Sequence, residues 1–292
     1  MRGVADFRQP ETARHHLLGD VAGTRPGTRL GGHQAAAALA GEGELAGEVA
    51  VGVLVDDAAD VARIEARHRP VEHDLGVIAI DPSSRRSGGA LLGDRARIST
   101  DPGDRGVFVR SMAARDRLGG LSDQTVAAMV VMRAVFDRVL VESVGIGQSE
   151  ADVAMVADTV VLCIQPGSGD SLQFMKAGVM ELPDVIVVTK ADMGAPAQRA
   201  KADVEGALTL AARDPGSWSA PVVLVSATTG EGLDALAAAI GAHRSWLEAG
   251  RLAAHRAAQQ NQWVEEALRT RFGTAGLTLA ASIGAGGAAG PF

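Results

Sequence analysis

Two strand-like runs end in carboxylates. The run Gly76–Ile80 leads into DPSSRRSGGALLGD, so Asp81 closes a strand and Asp94 lies in the loop beyond it. The run Arg138–Glu142 leads into ESVGIGQSE, so Glu142 stands at a second tip, ahead of the glycine pair Gly145 and Gly147. Oxygen donors at neighbouring strand ends suit Mg²⁺, which keeps several waters and takes one or two carboxylates alongside substrate phosphates. A single such acid reads as a turn or helix-cap residue. The set points to a metal–phosphate site.

A second constellation lies further along. The run Val185–Thr189 ends in VTKAD (188–192) and the run Val222–Ser226 ends in VSATTGEGL (225–233). These resemble two guanine-reading elements of GTPases, the [NT]KxD box and the SA loop. Asp192 can accept from both the ring N–H and the exocyclic amine of guanine, a match that adenine cannot make. The aliphatic stem of Lys190 can cover the purine face, and backbone amides near Ser226 and Ala227 can bind the guanine carbonyl oxygen. TKAD alone also describes a capped helix start; followed by a strand that ends in SA, it is more specific.

The elements that must position these groups alternate. Strand-like runs recur at Val49–Val55, Gly76–Ile80, Gly106–Arg110, Arg138–Glu142, Thr159–Gln165, Val185–Thr189 and Val222–Ser226. Helix-length segments lie between them at Asp57–His68, Ser122–Phe136, Ser149–Ala157, Ser171–Glu181 and Pro196–Ala212. Continuous β-branched strands alternating with helices predict a mostly parallel α/β sheet with helices on both faces. Ligands of such sheets sit beyond the carboxyl ends of the strands, where every group named above falls. From Glu231 to about Arg271 the chain reads as helical, and Ser282–Phe292, rich in Gly and Ala, reads as a frayed tail.

Composition narrows the function classes. The 292 residues are 47% hydrophobic and 22% charged, values of an ordinary globular protein with a sizeable core. A net charge of −7 and a pI near 5.5 speak against nucleic-acid binding through a general basic surface. The longest apolar runs, Val160–Ile164 and Val185–Val188, fall far short of a membrane span, and no secretory signal opens the chain. One cysteine, Cys163, allows no internal disulfide and no CxxC knuckle, and a cytoplasmic location is expected. It reads as a small buried hydrophobe. The histidines His15, His16, His33, His68 and His73 have no HExxH or paired Cys/His spacing that would make them metal ligands.

Six segments in sequence order resemble the MeaB/ArgK-type GTPases, the methylmalonyl-CoA mutase-associated metallochaperones of the SIMIBI class of P-loop NTPases. They are IDPSSRRSGGALLGDRARI (80–98), VFVRSMAARDRLGGLS (107–122), VLVESVGIGQSE (139–150), IQPGSGDSLQFMKAG (164–178), VVTKAD (187–192) and VSATTGEGL (225–233). The resemblance implies a P-loop NTPase fold with a C-terminal helical extension. It also implies that Asp81, Asp94 and Glu142 surround the Mg²⁺ of bound GTP or GDP. Residues Ser143–Glu150 then form switch II, with the Gly145 amide sensing the γ-phosphate and Gln148 positioning the attacking water. Glu142, Gly145 and Gln148 are thus the expected catalytic set. Residues Gly167–Lys176, with Asp170, look like a third switch that contacts the mutase; Lys176 reads equally as a solvated helix residue. The implied function is GTP hydrolysis that gates the loading and protection of an adenosylcobalamin-dependent acyl-CoA mutase, the cobalamin belonging to the partner. Residues 240–272 resemble the family's helical dimerisation region, in which Arg251, Leu252, Trp263, Val264 and Leu268 offer side chains for a homodimer interface or for packing on their own domain. Neither nucleic acid nor membrane is an expected partner.

One part of that pattern is missing. A GxxGxGK[ST] loop should follow the first strand, its amides and lysine cradling the phosphates. Here the strand is followed by VDDAADVARIEARH (55–68), and of 28 basic residues only Lys176, Lys190 and Lys201 are lysines. Two aspartates, Asp56 and Asp57, stand in the turn and would repel a triphosphate. The earlier GTRPGTRLGG (23–32) has glycines without a lysine, and the planar fork of Arg25 or Arg29 is a poor replacement for a point charge. The expected organisation is therefore an atypical segment 1–74, a GTPase domain 75–240 and a helical extension 241–292. The abrupt onset of family-like sequence near Leu75, after a lysine-free stretch rich in Arg, Ala, Gly and His, is what a frame-shifted GC-rich segment would leave. The alternatives are a homologue that keeps only a mutase-binding scaffold role, or a phosphate site supplied in trans. A kinase acting on transport proteins, an older label of this family, is a further rival.

Overall fold

A computed structural model of the chain describes residues 49–55, 74–81, 106–113, 121–144, 150–167, 182–210 and 216–282. Seven strands occur among them: β1 (Val49–Val55), β2 (Leu75–Asp81), β3 (Val107–Ala113), β4 (Arg138–Val144), β5 (Thr159–Ile164), β6 (Val185–Val188) and β7 (Val222–Leu224). Their order is β3-β2-β4-β1-β5-β6-β7, and every neighbouring pair is parallel. The segment 1–74 thus contributes β1 to the centre of the same sheet, between β4 and β5.

Five α-helices occur among the described residues, the first three between strands, as parallel connections demand, and the last two after β7. These are α1 (Asp123–Arg133), α2 (Glu150–Ala154), α3 (Ala195–Leu210), α4 (Leu233–Glu248) and α5 (Leu252–Ser282). Ser122 caps α1: its hydroxyl accepts from the Thr125 N–H at 3.2 Å, meeting one of the orphan donors of the first turn. One sheet face packs Ile78, Ile80, Val139, Val141, Leu162 and Ile164 against α1, α2 and α3. The other packs Leu75, Val77, Ala79, Leu140 and Val161 against Leu233 and Leu236 of α4. Strands covered on both sides explain why their sequences run as unbroken β-branched stretches rather than alternating. At Gly76 two side chains press against the strand, since a Cβ there would come within 2.5 Å of Met132 Cε and 2.9 Å of Phe136 Cδ2.

The amino ends of the strands carry a polar clamp. Asp158, just before β5, is fully buried and takes both Arg256 Nε at 3.0 Å and Arg256 Nη2 at 2.9 Å, with Arg244 at 3.3 Å and Arg133 at 3.8 Å. Helices α1, α4 and α5 therefore converge on one carboxylate. Gln259 of α5 adds bonds to the carbonyls of Ala154 and Ala157 at 2.9 and 2.7 Å. Beside this clamp His243 joins Thr159 Oγ1 at 2.9 Å and Asp184 at 3.3 Å, and its ring forms a three-ring cluster with Trp218 and Trp246. The last helical run carries on past the expected end near Arg271 to Ser282, but its backbone breaks at Gly273 (φ 63°, ψ −162°), so a second, shorter helical stretch follows the first.

Candidate functional site

The sheet register builds the site row by row. On the α4 face of β3, β2 and β4, Val109, Val77 and Leu140 lie level with one another. The next row toward the carboxyl ends is Ser111, Ala79 and Glu142. Asp81 lies two residues beyond Ala79, in register with Ala113. An apolar floor therefore gives way to polar residues in one step, at the edge where the strands run out. Glu142 is 1% exposed, a position at which a carboxylate requires a cation or donors around it. That chemistry fits Mg²⁺. Asp94, Gly145 and Gln148 lie outside the described residues, as do Asp170, Lys176 and the expected helices Asp57–His68 and Ser171–Glu181. Gly167 sits in an exposed turn after β5 with φ +76°, a conformation that favours glycine. Among the described residues no three metal-ligating side chains form a cluster.

The second half of the site lies at the ends of β6 and β7. Lys190 adopts a left-handed conformation (φ 55°, ψ 46°), unusual for a residue with a Cβ. Its neighbours hold it there: the Thr189 N–H donates to the Ile164 carbonyl at 2.9 Å, and the Ala191 N–H to the Val225 carbonyl at 3.0 Å. The turn Ala191–Met193 follows at once and brings Asp192 back over β7. There Ser226 Oγ donates to Asp192 Oδ1 at 2.6 Å and accepts from the Thr229 N–H at 3.2 Å. Ser226 is fully buried while Asp192 is exposed, so a rigid donor orients a solvent-facing carboxylate.

The Ser226 amide is committed inside the loop. Its N–H donates to the Glu231 carbonyl at 2.9 Å, which leaves the Ala227 amide the better candidate for a purine oxygen. Gly232 closes the turn with φ 77°, and a Cβ there would stand 1.9 Å from the Leu224 carbonyl oxygen. The groups that the sequence reading passed over are Thr189 and Thr229, which brace Lys190 and Ser226, and Ser111. Thr189 had a signal, as the first residue of the TKAD box; the others become visible only through register and loop geometry.

The comparisons with known proteins bear on this arrangement. The family described as methylmalonyl Co-A mutase-associated GTPase MeaB matches residues 55–276. The chain belongs to the MeaB family. Relatives include a protein of Pyrococcus horikoshii named as a GTPase, 43% identical over 67% of this chain and 62% of its own length. Another is the mouse mitochondrial methylmalonic aciduria type A homolog, 38% identical over 66% of this chain and 47% of its own. A crystal structure described as an LAO/AO transport system kinase superposes with a TM-score of 0.63 at 25% identity, covering 90% of this chain and 82% of that one. The chain thus spans about three-fifths of the length of the curated relatives it matches first. The mostly parallel α/β sheet read from alternating strands and helices is the fold observed, and it is of the P-loop NTPase type that the resemblance implied. Among the described residues no helix is long and apolar enough to cross a membrane.

Proposed function

We propose that this MeaB-family chain binds GTP with Mg²⁺, hydrolyses it slowly, and uses the two nucleotide states to gate adenosylcobalamin loading and protection of a methylmalonyl-CoA mutase-type enzyme. The observation that carries the guanine reading is the Lys190–Asp192–Ser226 arrangement. A carboxylate fixed by a buried hydroxyl presents two acceptors in line, which match the paired N–H groups of guanine and repel adenine's acceptor N1. Glu142, Asp81 and Asp94 would hold Mg²⁺ and its waters, and the ion would supply charge neutralisation at the phosphates. Gly145 and Gln148 would read the γ-phosphate and the attacking water, and Gly167, Asp170 and Lys176 the mutase. Ordering of those loops by the γ-phosphate and release on hydrolysis is all that a two-state switch requires. Cobalamin would stay with the partner.

We assign homodimerisation to the helical extension 241–292. Phe272 and Leu279, either side of the Gly273 kink, are 62% and 63% exposed, which supports an apolar surface there. Trp263 packs instead on the chain's own core, and the Arg251 guanidinium lies 4.6 Å over the Trp246 ring. A second reading is favoured by one observation, the absence of a lysine anywhere before residue 176. It is a mutase-binding scaffold that recognises guanine weakly and hydrolyses nothing. Titration of the mutase with this chain in GTP, GDP and no nucleotide separates the two. The switch requires affinity for the mutase that changes with nucleotide, whereas the scaffold binds equally in all three.

A further inference from the structure

We infer that Ser111 is a positioning residue of the metal–phosphate site, holding a buried water that it shares with Glu142. The inference extends the nucleotide reading above and rests on it only for its second test. Ser111 Oγ is buried on β3 without a hydrogen-bond partner among the described residues. Such a hydroxyl is destabilising unless something satisfies it. Its position explains the expense.

In register, Ser111 is level with Ala79 and Ala79 is level with Glu142. Residues paired this way share a sheet face, so the three side chains stand on one side. Adjacent strands are about 4.8 Å apart, which puts the Ser111 and Glu142 backbones about 10 Å apart. Among the described residues, the position between them in this row is Ala79, whose side chain is a methyl group. Two hydrogen bonds through one water span about 5.5 Å, the gap that side chains from both flanks leave over a methyl. A larger residue at position 79 would fill it. Glu142 is itself 1% exposed, so a donor delivered from the Ser111 side fixes which way its carboxylate faces. Partners that orient a metal-binding carboxylate in this way typically change metal affinity by about 10–100-fold.

Two measurements test this. A crystal structure of the full chain with ordered buried waters should show one within hydrogen-bonding distance of both Ser111 Oγ and a Glu142 oxygen. A Ser111 hydroxyl bonded to a main-chain carbonyl instead, or no water contacting Glu142, overturns the inference. The second compares wild type, Ser111→Ala and Ser111→Thr for the Mg²⁺ concentration that half-saturates tightening of GTP binding. The alanine variant should need about tenfold more Mg²⁺ with metal-free GTP affinity unchanged, and the threonine variant should restore the wild-type value. Equal Mg²⁺ requirements in all three contradict it. If the wild-type chain binds no GTP, the nucleotide reading fails and the water decides the role of Ser111 alone.

Discussion

Ser226 and Asp192 are joined by a 2.6 Å hydrogen bond between residues 34 positions apart, and that bond ties the ends of β6 and β7 together. The hydroxyl spends its proton on the carboxylate and its lone pair on the Thr229 amide, so it has one orientation. Ser226→Ala should therefore weaken GTP binding by about tenfold, the worth of a hydrogen bond to a charged group. Asp192→Asn exchanges an acceptor for a donor and should shift preference from GTP toward XTP, whose ring carries a carbonyl where guanine has its amine. Competition binding with the two nucleotides reads both effects, and an Asn variant that still favours GTP would remove Asp192 from base recognition.

Gly232 admits no side chain. Its φ is 77°, and a Cβ at this position would lie only 1.9 Å from the Leu224 carbonyl oxygen, so Gly232→Ala must displace the loop carrying Ser226 and Ala227. A loss of about 1–3 kcal/mol in urea unfolding is expected, the range for backbone strain of this kind. Gly241→Ala, in α4 with open space around the position, is the control and should cost nothing measurable.

The carboxylate of Asp158 holds three arginines from three helices. Asp158→Ala leaves those guanidiniums without it and should cost about 3–5 kcal/mol, as removal of one partner from a buried ion cluster does. Hydrogen exchange should rise first in α5, which reaches the sheet through Arg256 and Gln259. Uniform exchange across all helices would show that the clamp does not dock α5.

Burial pushes the Asp184 carboxyl up to about 7, against the lowering effect of the Val160 amide. Burial and the neighbouring His255 push His243 down to about 4, opposed by Asp158. The signs oppose. The Asp184 contribution is full below its ordinary value of 3.8 and is lost as pH rises to about 7. The His243 contribution is full above 6.5 and is lost as pH falls to about 4. In wild type the two offset one another between those limits. Asp184→Asn should expose stability that rises with pH from 4 to 6.5, and His243→Asn stability that falls from 4 to 7. Urea midpoints against pH measure both, and two flat profiles would show that the pair does not titrate as described.

How much of this was legible in the sequence differs by element. The strands were, because central parallel strands must be β-branched throughout and end in the residues that face the ligand. Ser122 marked its helix because a capping hydroxyl is a local device. The Asp158 clamp was not: an aspartate before a strand reads as a turn residue, and Arg133, Arg244 and Arg256 come from distant segments. Trp263 offered an interface or a core position equally, because an apolar ring on a mixed helix does not say which surface it meets. In the site, Lys190, Asp192 and Ser226 were legible as a motif, whereas the commitment of the Ser226 amide to Glu231 depends on a loop closure that composition does not encode. Ser111 was invisible because its meaning lies in the register across two strands.

The central claim is guanine recognition by a chain whose sequence has no phosphate-loop lysine. Titration calorimetry of the full 292-residue chain with Mg²⁺ and GTP, GDP or ATP tests it most directly. The account predicts saturable binding of GTP and GDP with no binding of ATP, abolished by Asp192→Ala. Equal affinity for ATP, or no heat with any of the three nucleotides, would contradict it.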